Sequence, residues 1–245
     1  MIIRVAVFYG LTWFFLILLG GVQQETGLLP TEIGLAQWAT GIAALLMLLI
    51  FRRDGHKIAF FTPETSMRRY LLVVLIPIGL NLIVAGIGRF IPQEAAAPLA
   101  LYDSLWLVIL WAPLGALGEE IGWRGYLHKK LDTRLRGLYS SILVGVLWFP
   151  IHVQFFAAGP FVVFFLALLI VSYSIVMYTL VQDTGFNVLL ATVFHLAINL
   201  SNLLYLDRLY ETWFMMVNAL VWLAAATVLV LAKRELFLRV KEVSR

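Results

Sequence analysis

Apolar residues run along this chain in blocks of about twenty positions that are hydrophobic on all sides and not along one stripe. Charges and clusters of Gly, Pro and Asn separate the blocks, giving spans near 5–22, 32–51, 70–91, 100–127, 138–157, 160–181, 186–204 and 212–232. Roughly 20 helical residues cross a hydrocarbon core of about 30 Å, whereas membrane strands would alternate polar and apolar positions. The pattern therefore predicts an all-α fold, a polytopic transmembrane helical bundle of about eight spans with short connections. With no linker long enough to mark a boundary and no internal repeat, residues 1–245 are read as a single integral-membrane domain. Val5 to Val22 is long for the apolar region of a secretory signal and no Ala-x-Ala site follows, so it is counted as the first span.

Composition strengthens this picture. Hydrophobic residues make up 62% of the chain and charged residues 13%, against roughly 25% charged in soluble domains, which excludes a water-soluble globule. Lys and Arg number 18 and Asp and Glu 14, a formal charge of +4. In a soluble chain that balance suggests nucleic acid; here the placement of the charges points to the bilayer, and no nucleic-acid partner is expected. With the N-terminus in the cytoplasm, the inner segments hold Arg4, then Arg52, Arg53, Lys57, Arg68 and Arg69, then Arg124, Lys129, Lys130, Arg134 and Arg136. The tail adds Lys233, Arg234, Arg239, Lys241 and Arg245. Only Arg89 and Arg208 remain outside, so 16 of the 18 basic residues share one side, which predicts both termini inside. The absence of cysteine excludes disulfides, thiolate metal sites and a Cys nucleophile.

The fourth span is irregular. Leu101 to Gly118 is apolar but for Asp103 and Ser104, and apolar character resumes from Ile121 to Leu127. A straight helix from Pro98 to Lys130 would be about 50 Å long, so Pro113, Gly115 and Gly118 are expected to kink or tilt it. The few ionisable groups at membrane depth are Glu119, Glu120, Arg124, His152 and His195, joined by the neutral Asn199. Such groups are costly in lipid and usually mark function or a paired site. Glu120 and Arg124, Trp148 and His152, and His195 and Asn199 are each four apart, which puts each pair on one helix face. Counted from the inner end at about 1.5 Å per residue, Glu119, His195 and His152 lie about 15, 12 and 20 Å deep, level enough to converge on one cavity.

Three motifs follow in order: Glu119-Glu120-Ile121-Gly122-Trp123-Arg124 fits E-E-x-x-x-R, Trp148 to His152 fits aromatic-x-x-x-His, and His195 to Asn199 fits H-x-x-x-N. On separate spans and in this order they resemble the CAAX-protease and bacteriocin-processing (CPBP) family of intramembrane endopeptidases, related to type II CAAX prenyl endopeptidases, within a motif-bearing core about 100–204. Trp148 departs from the family's pattern, which usually has Phe there. The resemblance implies an enzyme in the plasma (cytoplasmic) membrane of a prokaryote, its site opening to the cytoplasmic side. Its partners would be the lipid bilayer and a membrane-embedded or lipidated peptide or protein, a prenylated CAAX-type C-terminus being one candidate. It also implies Glu119 as general base on a water, assisted by His152, with His195 and Asn199 donating to the oxyanion and no cofactor. Glu120 would pair with Arg124, and Trp148 would wall the site.

Periodicity alone says only that Glu120 and Arg124 share a face; which glutamate is the base rests on the motif. Glu119, His152 and His195 are also the residue types of a three-ligand catalytic site for a divalent metal such as zinc, although H-E-x-x-H is missing. No G-x-S-x-G supplies a serine nucleophile, and Asp103 has no second intramembrane Asp as a partner. Two other classes stand beside the protease. A proton-coupled secondary transporter could use the same Glu and His as a relay, though carriers commonly show repeated halves. A non-catalytic membrane immunity or scaffold protein is the other. Gly118 and Gly122 form G-x-x-x-G, which predicts close helix approach. Trp38, Tyr70, Trp106 and Tyr205 are expected as interfacial anchors. Leu236, Phe237, Val240 and Val243 suit either a helix on the inner leaflet or a solvated loop.

Overall fold

The apolar blocks become helices because lipid offers no partner for a free backbone N–H or C=O, and a helix satisfies its own. The computed structural model describes residues 1–27, 29–30, 33–94 and 105–239, and among these there is no strand. Helix α1 (Ile2–Thr26) ends at Gly27 in the left-handed conformation. A 3-10 turn, Leu35–Trp38, leads into α2 (Ala39–Ile50). Then come α3 (Met67–Gly88) and α4 (Leu105–Glu120), the latter continuing through a π-helical segment, Ile121–His128, into the single turn α5 (Lys129–Asp132). Helices α6 (Gly137–Trp148), α7 (Pro160–Val181), α8 (Val188–Asn202), α9 (Thr212–Ala232) and the short α10 (Arg234–Leu238) complete the described chain.

Among the described residues, six helical stretches are long and apolar enough to cross a membrane, including the continuous rod Leu105–Asp132. The second and fifth expected spans are shorter, Leu35–Ile50 and Gly137–Ile151, about 22–24 Å at 1.5 Å per residue. They shorten for local reasons. Pro150 has no N–H to donate and its ring crowds the preceding turn, so α6 ends at Trp148 and passes into 3-10 turns, with His152 outside helical geometry (φ −87°, ψ 49°). The expected helix over 138–157 is thus broken at its middle. The fourth span, by contrast, runs through Pro113 as continuous α-helix, and its irregularity is the π segment. Its expected start at Pro98, with Asp103, lies outside the described residues.

The bundle has two distinct ends. At one, Asp54 accepts from Arg4 (2.6 Å) and Lys130 (3.0 Å), Lys129 donates to Lys57 O, and Arg69 pairs with Asp183. Lys130 beside Asp54 holds that carboxyl below its ordinary range. The N-terminus, the 51–66 connection, the end of the long rod and the start of α8 therefore meet there, and Phe237 brings the tail to the same end by packing on Tyr178, ring centroids 5.5 Å apart. Phe237 is fully buried, so this part of the tail docks on the bundle and not on lipid; Val240, Lys241, Val243 and Arg245 lie outside the described residues. At the other end Arg208 donates to Gly88 O and Ile91 O and pairs with Glu211. The basic segments grouped by the charge count thus share one end, with Arg208 at the opposite one.

Small residues set the tightest packing, as G-x-x-x-G predicts. A Cβ on Gly41 would lie 2.7 Å from Gly118 O, and one on Gly122 would lie 2.4 Å from Thr40 Cβ. A polar knot without a spacing signal in the sequence ties three helices: Asn81 of α3 donates to Ser201 (2.7 Å) and Asn202 (3.0 Å) and accepts from Trp222 Nε1 (2.9 Å). Tyr205 donates to Asn202 and is buried against Phe214, so it is a core residue and not an interfacial anchor.

Candidate active site

The π segment begins directly after Glu119 and Glu120. Such segments widen a helix, release backbone carbonyls and recur at functional sites. Thr40 of α2 donates its hydroxyl to Gly118 O (3.3 Å) and Glu119 O (3.2 Å), and His56 donates Nε2–H to Gly125 O (3.0 Å). Both are side-chain partners of this stretch that no motif pointed to, because they come from 69 to 79 residues away in sequence.

The two adjacent glutamates face different partners. Glu120 is fully buried; its Oε1 accepts from Arg124 Nη1 (3.0 Å), also fully buried, and from His195 Nδ1 (2.8 Å). The expected Glu120–Arg124 pair is present, and His195 is bound into it. Two donors on one carboxylate, one of them the Arg124 guanidinium, offset the cost of placing these charges out of water. Glu119 turns instead toward α6, where its Oε2 accepts from Trp148 Nε1 at 2.8 Å. Trp148 is therefore more than an aromatic wall: its indole N–H is a donor that a Phe lacks. The Arg124 guanidinium lies 4.3 Å above the same indole, and the Trp148 ring meets His195 and His152 edge-on at 5.2 and 5.9 Å.

His152 stays close to Trp148 despite the break at Pro150. Its Nδ1 donates to Trp148 O at 3.2 Å, since a carbonyl can only accept, which leaves Nε2 as the lone-pair side of the neutral ring. Glu119, Trp148, His152, His195 and Asn199 all line one cavity of about 390 Å³. Every residue named as a catalytic candidate is thus brought to one space, while Glu120 and Arg124 stand behind it. Tyr173, Asn202 and Gln37 line the same cavity and were not foreseen; an isolated Tyr, Asn or Gln in an apolar span has no spacing signal.

The cavity's direction departs from expectation. Its lining steps from Glu119 back along α4 to Ala112 and Ile109, and from His195 forward along α8 to Asn202, Leu206 and Leu209. Both paths lead away from the end that gathers Arg4, Lys57 and Lys130. The resemblance implies a site opening to the basic, cytoplasmic side; among the described residues the cavity extends the other way.

Comparison with known proteins bears on the same region. Residues 101–201 match the family described as type II CAAX prenyl endopeptidase Rce1-like, a stretch that contains all three motifs. Among curated proteins, lysostaphin resistance protein A of Staphylococcus epidermidis is 28% identical over 153 residues, 59% of this chain and 39% of that protein. The protein of the same name in Staphylococcus aureus is 26% identical over 204 residues, 77% of this chain and 46% of that one. The chain spans less than half the length of these relatives. Through the segment that holds Glu119, His152, His195 and Asn199, this helical membrane protein is similar to the Rce1-like family of type II CAAX prenyl endopeptidases.

Proposed function

We propose that the chain is an intramembrane endopeptidase that hydrolyses a peptide bond of a membrane-associated polypeptide, with Glu119 as base and no metal. The observation that carries this reading is the meeting of Glu119, His152, His195 and Asn199 on one cavity. A water gives its proton to Glu119 as its oxygen attacks the scissile carbonyl, and His152 Nε2 accepts from the same water to orient it. The negative charge that develops on the carbonyl oxygen takes hydrogen bonds from Asn199 Nδ2 and His195 Nε2. With Nδ1–H already given to Glu120, His195 can donate from Nε2 only as the imidazolium, whose charge Glu120 balances. Collapse breaks the C–N bond, and the leaving amine takes the proton held by Glu119. We place the basic end in the cytoplasm and the protein in the plasma membrane of a prokaryote, following the charge bias.

One feature favours water activated by glutamate over a metal: among the described residues no group of three His, Asp and Glu stands ready to hold an ion. The test is cleavage of a quenched membrane peptide by purified protein in detergent. Glu119→Gln should abolish it, and strong chelators should leave the unaltered protein active. Near-full activity of Glu119→Gln would remove Glu119 as base; activity lost to chelator and restored by zinc would replace the mechanism. The relatives' name supports a second reading, in which the chain confers resistance by holding a partner in the membrane without cutting it. Resistance undiminished in cells carrying Glu119→Gln would favour that one.

A further inference from the structure

The cavity that holds Glu119 is closed toward the basic end. Every residue of the π segment, Ile121–His128, is buried. Val188, Leu190, Ala191 and Phe194 of α8 are buried at the same level, as is Val144 of α6. Arg124, Trp123 and Leu127 are among the bulkiest fully buried side chains of the protein, and they lie between the site and Lys129. A substrate arriving from the basic end would have to displace these buried side chains. Toward the other end the lining opens: Ile109 and Gln154 are exposed, and Gly34 and Gln37 in the turn before α2 border the same space. The two short helical stretches make this opening possible. Leu35–Ile50 begins, and Gly137–Ile151 ends, at the level of the cavity, so neither fills the far half of the bundle.

We propose that the site is loaded from the membrane face opposite the basic end, so that its substrate is an apolar, uncharged stretch of a polypeptide presented on the extracytoplasmic side. The basic end faces the cytoplasm because Lys and Arg are retained there during insertion. The lining matches such a stretch: Leu166, Leu169, Ile170 and Met215 offer apolar surface, and the amides of Asn199, Asn202 and Gln154 can pair with peptide backbone. A chain lipidated at a cytoplasmic C-terminus would meet the sealed end. The nature of the substrate rests on the proteolytic reading above, whereas the side of entry does not.

The absence of cysteine makes the chain ready for accessibility mapping. Gln154→Cys and Ala36→Cys report the cavity, Asp207→Cys the far end and Arg53→Cys the basic end. A small, charged, membrane-impermeant thiol reagent is applied to intact cells and to inside-out vesicles. The two cavity cysteines should react in intact cells together with Asp207→Cys and lose that reaction in sealed inside-out vesicles, with Arg53→Cys showing the reverse. Cavity cysteines that react only alongside Arg53→Cys would overturn the proposal, and so would an Arg53→Cys that reacts in intact cells. Two cavity positions keep the result readable if one variant fails to accumulate. Because labelling needs no catalysis, an inactive protein with externally labelled cavity cysteines would overturn the protease reading alone.

Discussion

Gly122 lies where α2 crosses the π segment, and replacing it with alanine tests whether that crossing holds the site together. The new Cβ would sit 2.4 Å from Thr40 Cβ and 2.6 Å from Thr40 C and O, whereas carbon atoms at rest are about 3.5–4.0 Å apart. Two of the three obstructing atoms belong to backbone, so no rotamer change relieves the clash and α2 must retreat by about 1 Å or more. Overpacking of this kind costs about 1–3 kcal/mol. Gly79, within α3, is the internal control: a Cβ there meets nothing within 4 Å, and alanine should favour the helix by about 0.5–1 kcal/mol. One chemical change at two positions should therefore differ by about 1.5–4 kcal/mol, with opposite signs. Thermal unfolding of both variants in the same detergent reads this as a lowered midpoint for Gly122→Ala and an unchanged or raised one for Gly79→Ala. Thr40 also donates to Gly118 O and Glu119 O, so peptide cleavage should fall in Gly122→Ala and persist in Gly79→Ala. Equal midpoints would refute the reasoning, because the crossing would then tolerate a methyl group that the geometry forbids.

Arg124→Met should destabilise the protein by about 3–5 kcal/mol because it leaves Glu120 buried with His195 alone, and adding Glu120→Gln should recover part of that loss. Denaturant unfolding of the two single variants and the double checks this, and simple additivity would disprove the coupling. Trp148→Phe keeps an aromatic ring under Arg124 but deletes the N–H that holds Glu119; kcat should fall about 10- to 100-fold with KM within about twofold. An unchanged kcat would mean the indole does not position the base. Burial pushes the His56 imidazole below its ordinary value, so the unfolded chain takes up the proton more readily and stability rises with pH. The loss should begin as pH falls through about 6.5 and continue toward the lower folded value. Melting midpoints above and below that pH should diverge more in the unaltered protein than in His56→Gln, and equal divergence would take His56 out of the linkage.

Much of the site was legible because its residues are unusual for their surroundings. A charge or imidazole in an apolar span is conspicuous, and a separation of four places two side chains on one face, as it does for Glu120 and Arg124 (3.0 Å). The same rule reached Trp148 and His152 by a different route: Pro150 ends the helix between them, and a ring contact and the Nδ1–H bond to Trp148 O hold them together. Thr40, His56 and Asn81 were not legible, because Thr, His and Asn gain meaning only from what lies opposite them across the bundle.

The sequence by itself determined that this is a helical membrane protein, where its helical segments run, which ends carry the basic residues and which polar groups stand at membrane depth. Those properties follow from composition and short-range periodicity, which act through the chain's immediate neighbours. Tertiary structure alone decided that Trp148 binds Glu119, that Glu120 holds both Arg124 and His195, and that the cavity runs away from the basic end. These outcomes depend on which helix faces meet and on where α2 and α6 stop short. Contacts between residues 29 and 75 positions apart are fixed by packing the whole bundle, and no local pattern encodes them.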